Sequence, residues 1–362
     1  MVPIFKPYMP KDILSEIEDN LYSGNLSFGV KAKMFEKSIG SYINNSRFLS
    51  TSSYNHALLI VISALGLKSG DEIIASPMSC LASNQPFAIK GLKIKWVDID
   101  PNNGSICLDD LKSKLSSNTK AVFVNHYCGY LARQKEIYGL VKQYDIPLID
   151  DAIESFGSKF GGKMIGNNYA DVTVFSFQTV RLPNTIEGGG IAFLNEELYL
   201  KALKIRDYGI DRTTFRDELN EISKECDINL EGYGALMPEV NSIIGNNQMK
   251  DLDVLLGIQR INGLKWDGLI SDIPGLKPLE VNSEVEPNYW VYGVLSDNKV
   301  ESIVKFRELG FYATSVHINN NIYSVFRNNE NLKGVNEFYS RFIAIPCGWW
   351  VKEVQIESFV WK

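Results

Sequence analysis

Histidine, paired cysteine, excess positive charge and long apolar runs are all scarce or missing in this chain, and each shortage removes a class of function. The only histidines in 362 residues are His56, His126 and His317. No two stand at metal-ligand spacing, which argues against a metal site. The five cysteines (Cys80, Cys107, Cys128, Cys226, Cys347) are odd in number, widely spaced and contain no Cys-x-x-Cys, so reduced thiols in a cytoplasm are the expected state. A net charge of −6 argues against a nucleic-acid partner held by bulk electrostatics. No run approaches the roughly 18 apolar residues that cross a bilayer. The longest, Ala57–Leu65, reads as a buried helix instead, and no membrane partner is expected. Met1-Val-Pro-Ile-Phe-Lys lacks the charged start, apolar core and cleavage site of a secretory signal.

What is present is an ordinary soluble composition, 45% hydrophobic and 22% charged, with enough length for two cores. Between residues 50 and 195 helical patterns alternate with short β-branched runs. Strands are expected at Glu72–Ala75, Lys93–Asp98, Ala121–Asn125, Pro147–Asp150, Val172–Phe177 and Ile191–Leu194. Helices are expected at Asn55–Leu67, Leu108–Leu115 and Gln134–Tyr144. Apolar runs separated by helices predict an α/β fold with a mostly parallel sheet covered on both faces. Beyond residue 200 the polar stretch Arg206–Glu225 reads as a surface excursion. Asn241–Gly263 reads as one long helix. Strands at Tyr289–Leu295 and Tyr312–His317, with a helix at Val300–Leu309 between them, suggest a smaller α+β domain. The expected division is a large domain over residues 1–240 and a small one over 241–362, with residues 1–25 packing on the small domain.

On parallel sheets ligands bind beyond the carboxyl ends of the strands, which directs attention to three polar strings. Ser52-Ser53-Tyr54-Asn55 opens the first long helix, where capping side chains and free N–H groups can meet an anion. Asp150-Asp151 ends an apolar strand and leads into Ala-Ile-Glu154. Ser176-Phe-Gln178-Thr-Val-Arg181 follows another strand and runs into Glu187-Gly-Gly-Gly. Each has a plainer reading on its own: a helix cap, a strand-end carboxylate, a polar loop.

Together these strings resemble the DegT/DnrJ family of sugar aminotransferases, which use pyridoxal phosphate. That family carries Phe-Ser-Phe-x-x-x-Lys before an acidic residue and Gly-Gly, and the resemblance places Arg181 where its imine-forming lysine stands. It sets Ser53-Tyr54-Asn55-His56-Ala57-Leu58 against a phosphate-binding Ser-Gly-Thr-x-Ala-Leu, with Tyr54 in the place of the glycine. Asp151 matches the carboxylate that pairs with the pyridine nitrogen, and Glu154 a position near the ring hydroxyl. Ser176 matches a phosphate contact, Gln178 a polar neighbour, and Cys80 the place of a ring-stacking aromatic. Asn125-His126-Tyr-Cys-Gly resembles the family's His-x-x-Gly loop, which makes His126 a weak candidate base. The resemblance spans nearly the whole chain. It implies the aspartate-aminotransferase fold, a nucleotide-linked sugar as ligand and a dimer.

Arginine changes the chemistry that this resemblance implies. An imine needs a neutral amine, and an arginine with an ordinary pKa of about 12.5–13.8 would cost on the order of 7–9 kcal/mol to neutralise at pH 7. Arg181 can grip a phosphate or carboxylate, but it cannot bond covalently to the aldehyde. Pyridoxal or pyridoxamine phosphate is therefore expected to be noncovalent if bound at all. Three readings follow. One is a family member in nucleotide-sugar or surface-polysaccharide synthesis that is unable to transaminate alone, or that works like a dehydratase with a histidine base such as His126 or His56. Another is a silent homologue that binds a nucleotide sugar or pairs with an active subunit. The last is an unrelated doubly wound binding protein.

Overall fold

All six β-branched runs of the first half become strands of one sheet, joined there by one that the pattern leaves unmarked. The computed structural model describes residues 1–361. In chain order the strands are β1 (Phe48–Thr51), β2 (Glu72–Ala75), β3 (Lys93–Trp96), β4 (Thr119–Asn125), β5 (Leu148–Ala152), β6 (Lys159–Phe160), β7 (Lys163–Met164), β8 (Val172–Ser176), β9 (Gly189–Phe193), β10 (Leu276–Pro278), β11 (Val285–Glu286), β12 (Tyr292–Ser296) and β13 (Phe342–Ile345). Seven of them form the main sheet in the order β1-β9-β8-β5-β4-β2-β3. The five strands from β8 to β3 run parallel, while β9 alone is reversed, pairing antiparallel with both β8 and the edge strand β1.

The strands read as continuous apolar runs because both faces are covered. The helix Tyr54–Ala64 buries seven of its residues, and Leu58, Phe123, Ile149 and Val174 share one core with it. On the other face Ile137 and Val141 of the helix Gln134–Lys142 pack with Val122, Val124 and Leu148. Full burial of each such aliphatic side chain contributes about 1.5–3 kcal/mol. A second, antiparallel sheet, β10-β12-β13, lies in the C-terminal part. Near the N-terminus Val2 bridges to Phe311, and Phe5 stacks on Trp290 with centroids 4.6 Å apart.

Two expectations for the second half are corrected. The helical pattern at 241–263 is two helices, Glu239–Met249 and Leu252–Ser271. The first turns Ile243 and Ile244 towards Ile13, whereas Leu252 and Leu256 enter the core around Phe156 and Phe175. Different partners bend the chain between them, and a shared 3.6-residue period cannot reveal that. Residues 312–317 form no strand. Thr314 makes a single bridge to Ala344, and Val316 has φ +57°, so the segment leaves the sheet and turns towards the main-sheet strand ends. The neighbour of β12 on that side is β13.

No helix of the described residues is long and apolar enough to cross a membrane. All five cysteines are free thiols.

Candidate active site

Asn125, Asp151 and Ser176 end or nearly end the adjacent parallel strands β4, β5 and β8. Register alone therefore gathers polar groups at one edge of the sheet. Beside them lies a cavity of about 570 Å³, lined by residues that include Ser53, Tyr54, Asn55, Cys80, Ser176, Gln178, Arg181 and Glu187. Its remaining wall comes from far along the chain: Phe5, Trp290, Thr314 and His317. Among the described residues no lysine lines it.

The cavity's helix start is built locally. Ser53 is extended and caps the helix, its hydroxyl accepting from the His56 N–H at 3.1 Å. This turn sits tightly against β9. A Cβ on Gly189 would lie 2.5 Å from the Ser53 carbonyl oxygen, so only glycine lets the strand and the turn approach this closely. The Arg181 loop is tied at its base, where Phe177 N–H donates to Gly188 O (2.9 Å) and Thr185 N–H to Phe177 O (2.7 Å). It is pinned again where the Trp290 indole N–H donates to Val180 O at 3.0 Å.

Arg181 is 8% exposed. Its guanidinium carbon lies 4.3 Å from the centre of the Trp290 ring, a cation–π contact. Nη1 is 3.8 Å from Glu154 Oε1, too long for a hydrogen bond. Both Nε and Nη1 are buried without a partner, which is costly for a charged donor unless something else meets it.

Asp151 is fully buried. Oδ1 accepts the Tyr54 hydroxyl at 2.7 Å and the Ile153 N–H at 3.1 Å, and Oδ2 accepts the Asn125 amide at 2.6 Å. Burial raises its pKa, with hydrogen bonds working in the opposite direction. Burial and the adjacent Asp151 charge push the Tyr54 phenol far above its usual value, so it stays a donor.

Glu154 is also buried, and its Oε1 accepts from His317 Nε2 at 2.7 Å while Oε2 accepts from the Cys128 N–H at 2.7 Å. Burial opposes its ionisation, but His317 and then Arg181 outweigh it and hold the carboxyl below the usual range. Burial raises both the Cys80 thiol and the Glu187 carboxyl, which line the same space.

The structure thus brings Tyr54, Asn55, Cys80, Ser176, Gln178 and Arg181 into one cavity, with Asp151 and Glu154 behind its wall. His126 lies apart. It is fully buried, its Nδ1 accepting from the Ala132 N–H at 3.1 Å and its Nε2 3.2 Å from Asp150. His56 faces Ser52 (2.8 Å) and is outside the lining too. The histidine in the cavity is His317, stacked on Trp290 at 9° between planes. Sequence reasoning missed both His317 and Trp290, because neither stands in a recognisable string and only the fold carries them across more than 100 residues.

These residues do not fit the imine-bound cofactor that the resemblance implies. The carboxylate expected to meet the pyridine nitrogen lies behind Tyr54, Glu154 is engaged by His317, and an arginine stands at the place expected for the lysine.

Comparison with known proteins agrees on the fold. The sugar aminotransferase CalS13 of Micromonospora echinospora superposes with a TM-score of 0.93 at 26% identity, covering 99% of this chain and 97% of that one. A GDP-4-keto-6-deoxymannose-3-dehydratase, solved with a trapped PLP-glutamate geminal diamine, gives 0.88 at 22% identity and 99% coverage of both chains, a likeness of fold alone. The UDP-4-amino-4-deoxy-L-arabinose–oxoglutarate aminotransferase of Shewanella sediminis is 25% identical, covering 80% of this chain and 74% of its own. The UDP-4-amino-4,6-dideoxy-N-acetyl-beta-L-altrosamine transaminase of Campylobacter jejuni is 32% identical, covering 66% and 60%. Residues 7–360 match the family description itself: the chain belongs to the DegT/DnrJ/EryC1/StrS aminotransferase family.

Proposed function

We propose that this protein binds a nucleotide-linked sugar in the service of amino-sugar or surface-polysaccharide synthesis, and that it does not carry out ordinary transamination by itself. The observation that carries this reading is Arg181, a buried guanidinium whose Nε and Nη1 have no hydrogen-bond partner, on a side chain lining a cavity that has no lysine among its described lining residues. A permanently cationic fork suits the oxyanions of a diphosphate or a carboxylate and cannot form the covalent link to an aldehyde. Two of the relatives named above, from Shewanella sediminis and Campylobacter jejuni, are named for UDP-linked sugars, whose diphosphate suits the Arg181 guanidinium. Any pyridoxal-type cofactor would be noncovalent.

The silent-homologue reading is favoured over a dehydratase-like one. His126 and His56 stand outside the cavity, and His317 is committed to Glu154 through Nε2. Dimer formation, with itself or with an active subunit, belongs to the proposal. Leu21, Tyr22, Val30 and Met34, all about half exposed or more, are apolar side chains that such an interface could cover.

Isothermal calorimetry against UDP and UDP-linked sugars tests the binding. Saturable binding is expected, weakened about 10- to 100-fold by Arg181→Gln, as loss of a charged hydrogen bond requires. No binding, or affinity indifferent to Arg181, overturns it. Borohydride reduction in the presence of pyridoxal phosphate is expected to leave no stoichiometric mass adduct on a residue of the cavity, and such an adduct refutes the reading.

A further inference from the structure

Tyr54 joins two places that the family likeness keeps separate. Its backbone belongs to the first turn of the helix Tyr54–Ala64, at the cavity's edge. Its hydroxyl ends 2.7 Å from Asp151 Oδ1, on a residue 97 positions away. The phenol thus runs from the helix start to the strand-end carboxylate, and it, not Asp151, faces the cavity. A phenol is a flat six-membered ring with one donor hydrogen at its far end. A protonated pyridine ring is the same object to a carboxylate.

The fit is tight at both ends. Tyr54 is 3% exposed and Asp151 0%. Oδ1 already accepts two hydrogen bonds, from Tyr54 and Ile153, which fills its two lone-pair directions. The Asn125 amide holds Oδ2. A second ring could reach this carboxylate only after the first had left, exposing a buried acid.

We propose, building on the family reading above, that Tyr54 is a built-in occupant of the cofactor ring's place. Its side chain fills that space and satisfies Asp151, so the chain excludes pyridoxal phosphate for a reason independent of Arg181. Restoring a lysine at position 181 then does not restore the cofactor, because the ring still has nowhere to lie. Removing the phenol as well reopens the path to Asp151.

The test compares Arg181→Lys, Tyr54→Gly/Arg181→Lys and Tyr54→Phe/Arg181→Lys, each confirmed folded by circular dichroism and melting. Pyridoxal phosphate is added to each, and the visible imine band and the borohydride-fixed mass adduct are read. The expected result is a band and adduct only when the ring is removed; Phe keeps the volume and should still exclude the cofactor. An imine in Arg181→Lys alone overturns the proposal, as does a folded Tyr54→Gly/Arg181→Lys protein that stays colourless. Should the glycine variant fail to fold, Tyr54→Ala/Arg181→Lys takes its place: a band supports the proposal and a colourless folded protein overturns it. Calorimetry of the unaltered protein with pyridoxal phosphate is an independent measurement: no saturable binding up to millimolar is expected, and micromolar affinity sinks the idea. Failure of UDP-sugar binding in the unaltered protein would refute the functional reading alone and leave these outcomes unaffected.

Discussion

Replacing Glu154 by glutamine removes one negative charge from a buried cluster while keeping the shape of the side chain. The amide oxygen can still accept from the Cys128 N–H, and the backbone need not move. Arg181, however, loses its nearest counter-charge, at 3.8 Å, and a guanidinium cannot escape by losing its proton. At an effective dielectric of 20 the gross attraction across that distance is about 4 kcal/mol. Breaking a buried pair by removing one partner typically costs about 3–5 kcal/mol. Unfolding entropy near 2.1 cal/mol/K per residue gives roughly 0.76 kcal/mol/K for this length, so Glu154→Gln should lower Tm by about 4–7 °C. Differential scanning calorimetry gives the shift. Urea unfolding of Glu154→Gln, Arg181→Gln and the double variant gives the coupling, expected at 0.5 kcal/mol or more for groups in one cluster. A Tm within about 1 °C of the parent, or additive single effects, would show that the cluster contributes no electrostatic stability and that the reasoning fails.

The same carboxyl sets an acid limb. Its native pKa lies below the ordinary 4.5, so its stabilisation is full above that value and fades as pH falls through the lower native one. The Tm difference between parent and Glu154→Gln should accordingly stay constant above pH 4.5 and close below it; a gap that widens in acid contradicts the assignment. His126→Leu leaves the Ala132 N–H without its acceptor and strips the ring from Asp150 Oδ1, so that Asp150 keeps only the Gln134 amide as side-chain partner. It should cost about 1–3 kcal/mol of stability yet leave UDP-sugar affinity unchanged by calorimetry, since the ring is outside the cavity. Gly189→Ala drives a Cβ into the Ser53 carbonyl, a backbone group that cannot swing aside. A loss of about 1–3 kcal/mol or more is expected, together with weakened ligand binding as the helix start shifts; an alanine variant with parental melting and affinity would mean the contact is loose.

Much of the site was readable because it lies at strand ends. Apolar runs that stop at Asn125, Asp151 and Ser176 announce both a parallel sheet and its polar rim, and the helix cap at Ser53 is a local signal with a local cause. The likeness of residues 171–190 to a lysine-bearing segment makes Arg181 conspicuous in the bare sequence. What stayed hidden was pairing at a distance. Glu154 read only as a position near a ring hydroxyl, and only the fold brings His317 to it from 163 residues away.

Composition, periodicity and the choice of residue at single positions determined the fold class, the sheet rim and the arginine at position 181, because each of these depends on local sequence or on one side chain's chemistry. The tertiary structure decided which groups meet: Tyr54 on Asp151, Trp290 under Arg181, His317 on Glu154, and a break where one helix had been expected. Those outcomes depend on contacts between segments that share no sequence signal, and packing and burial alone select among them.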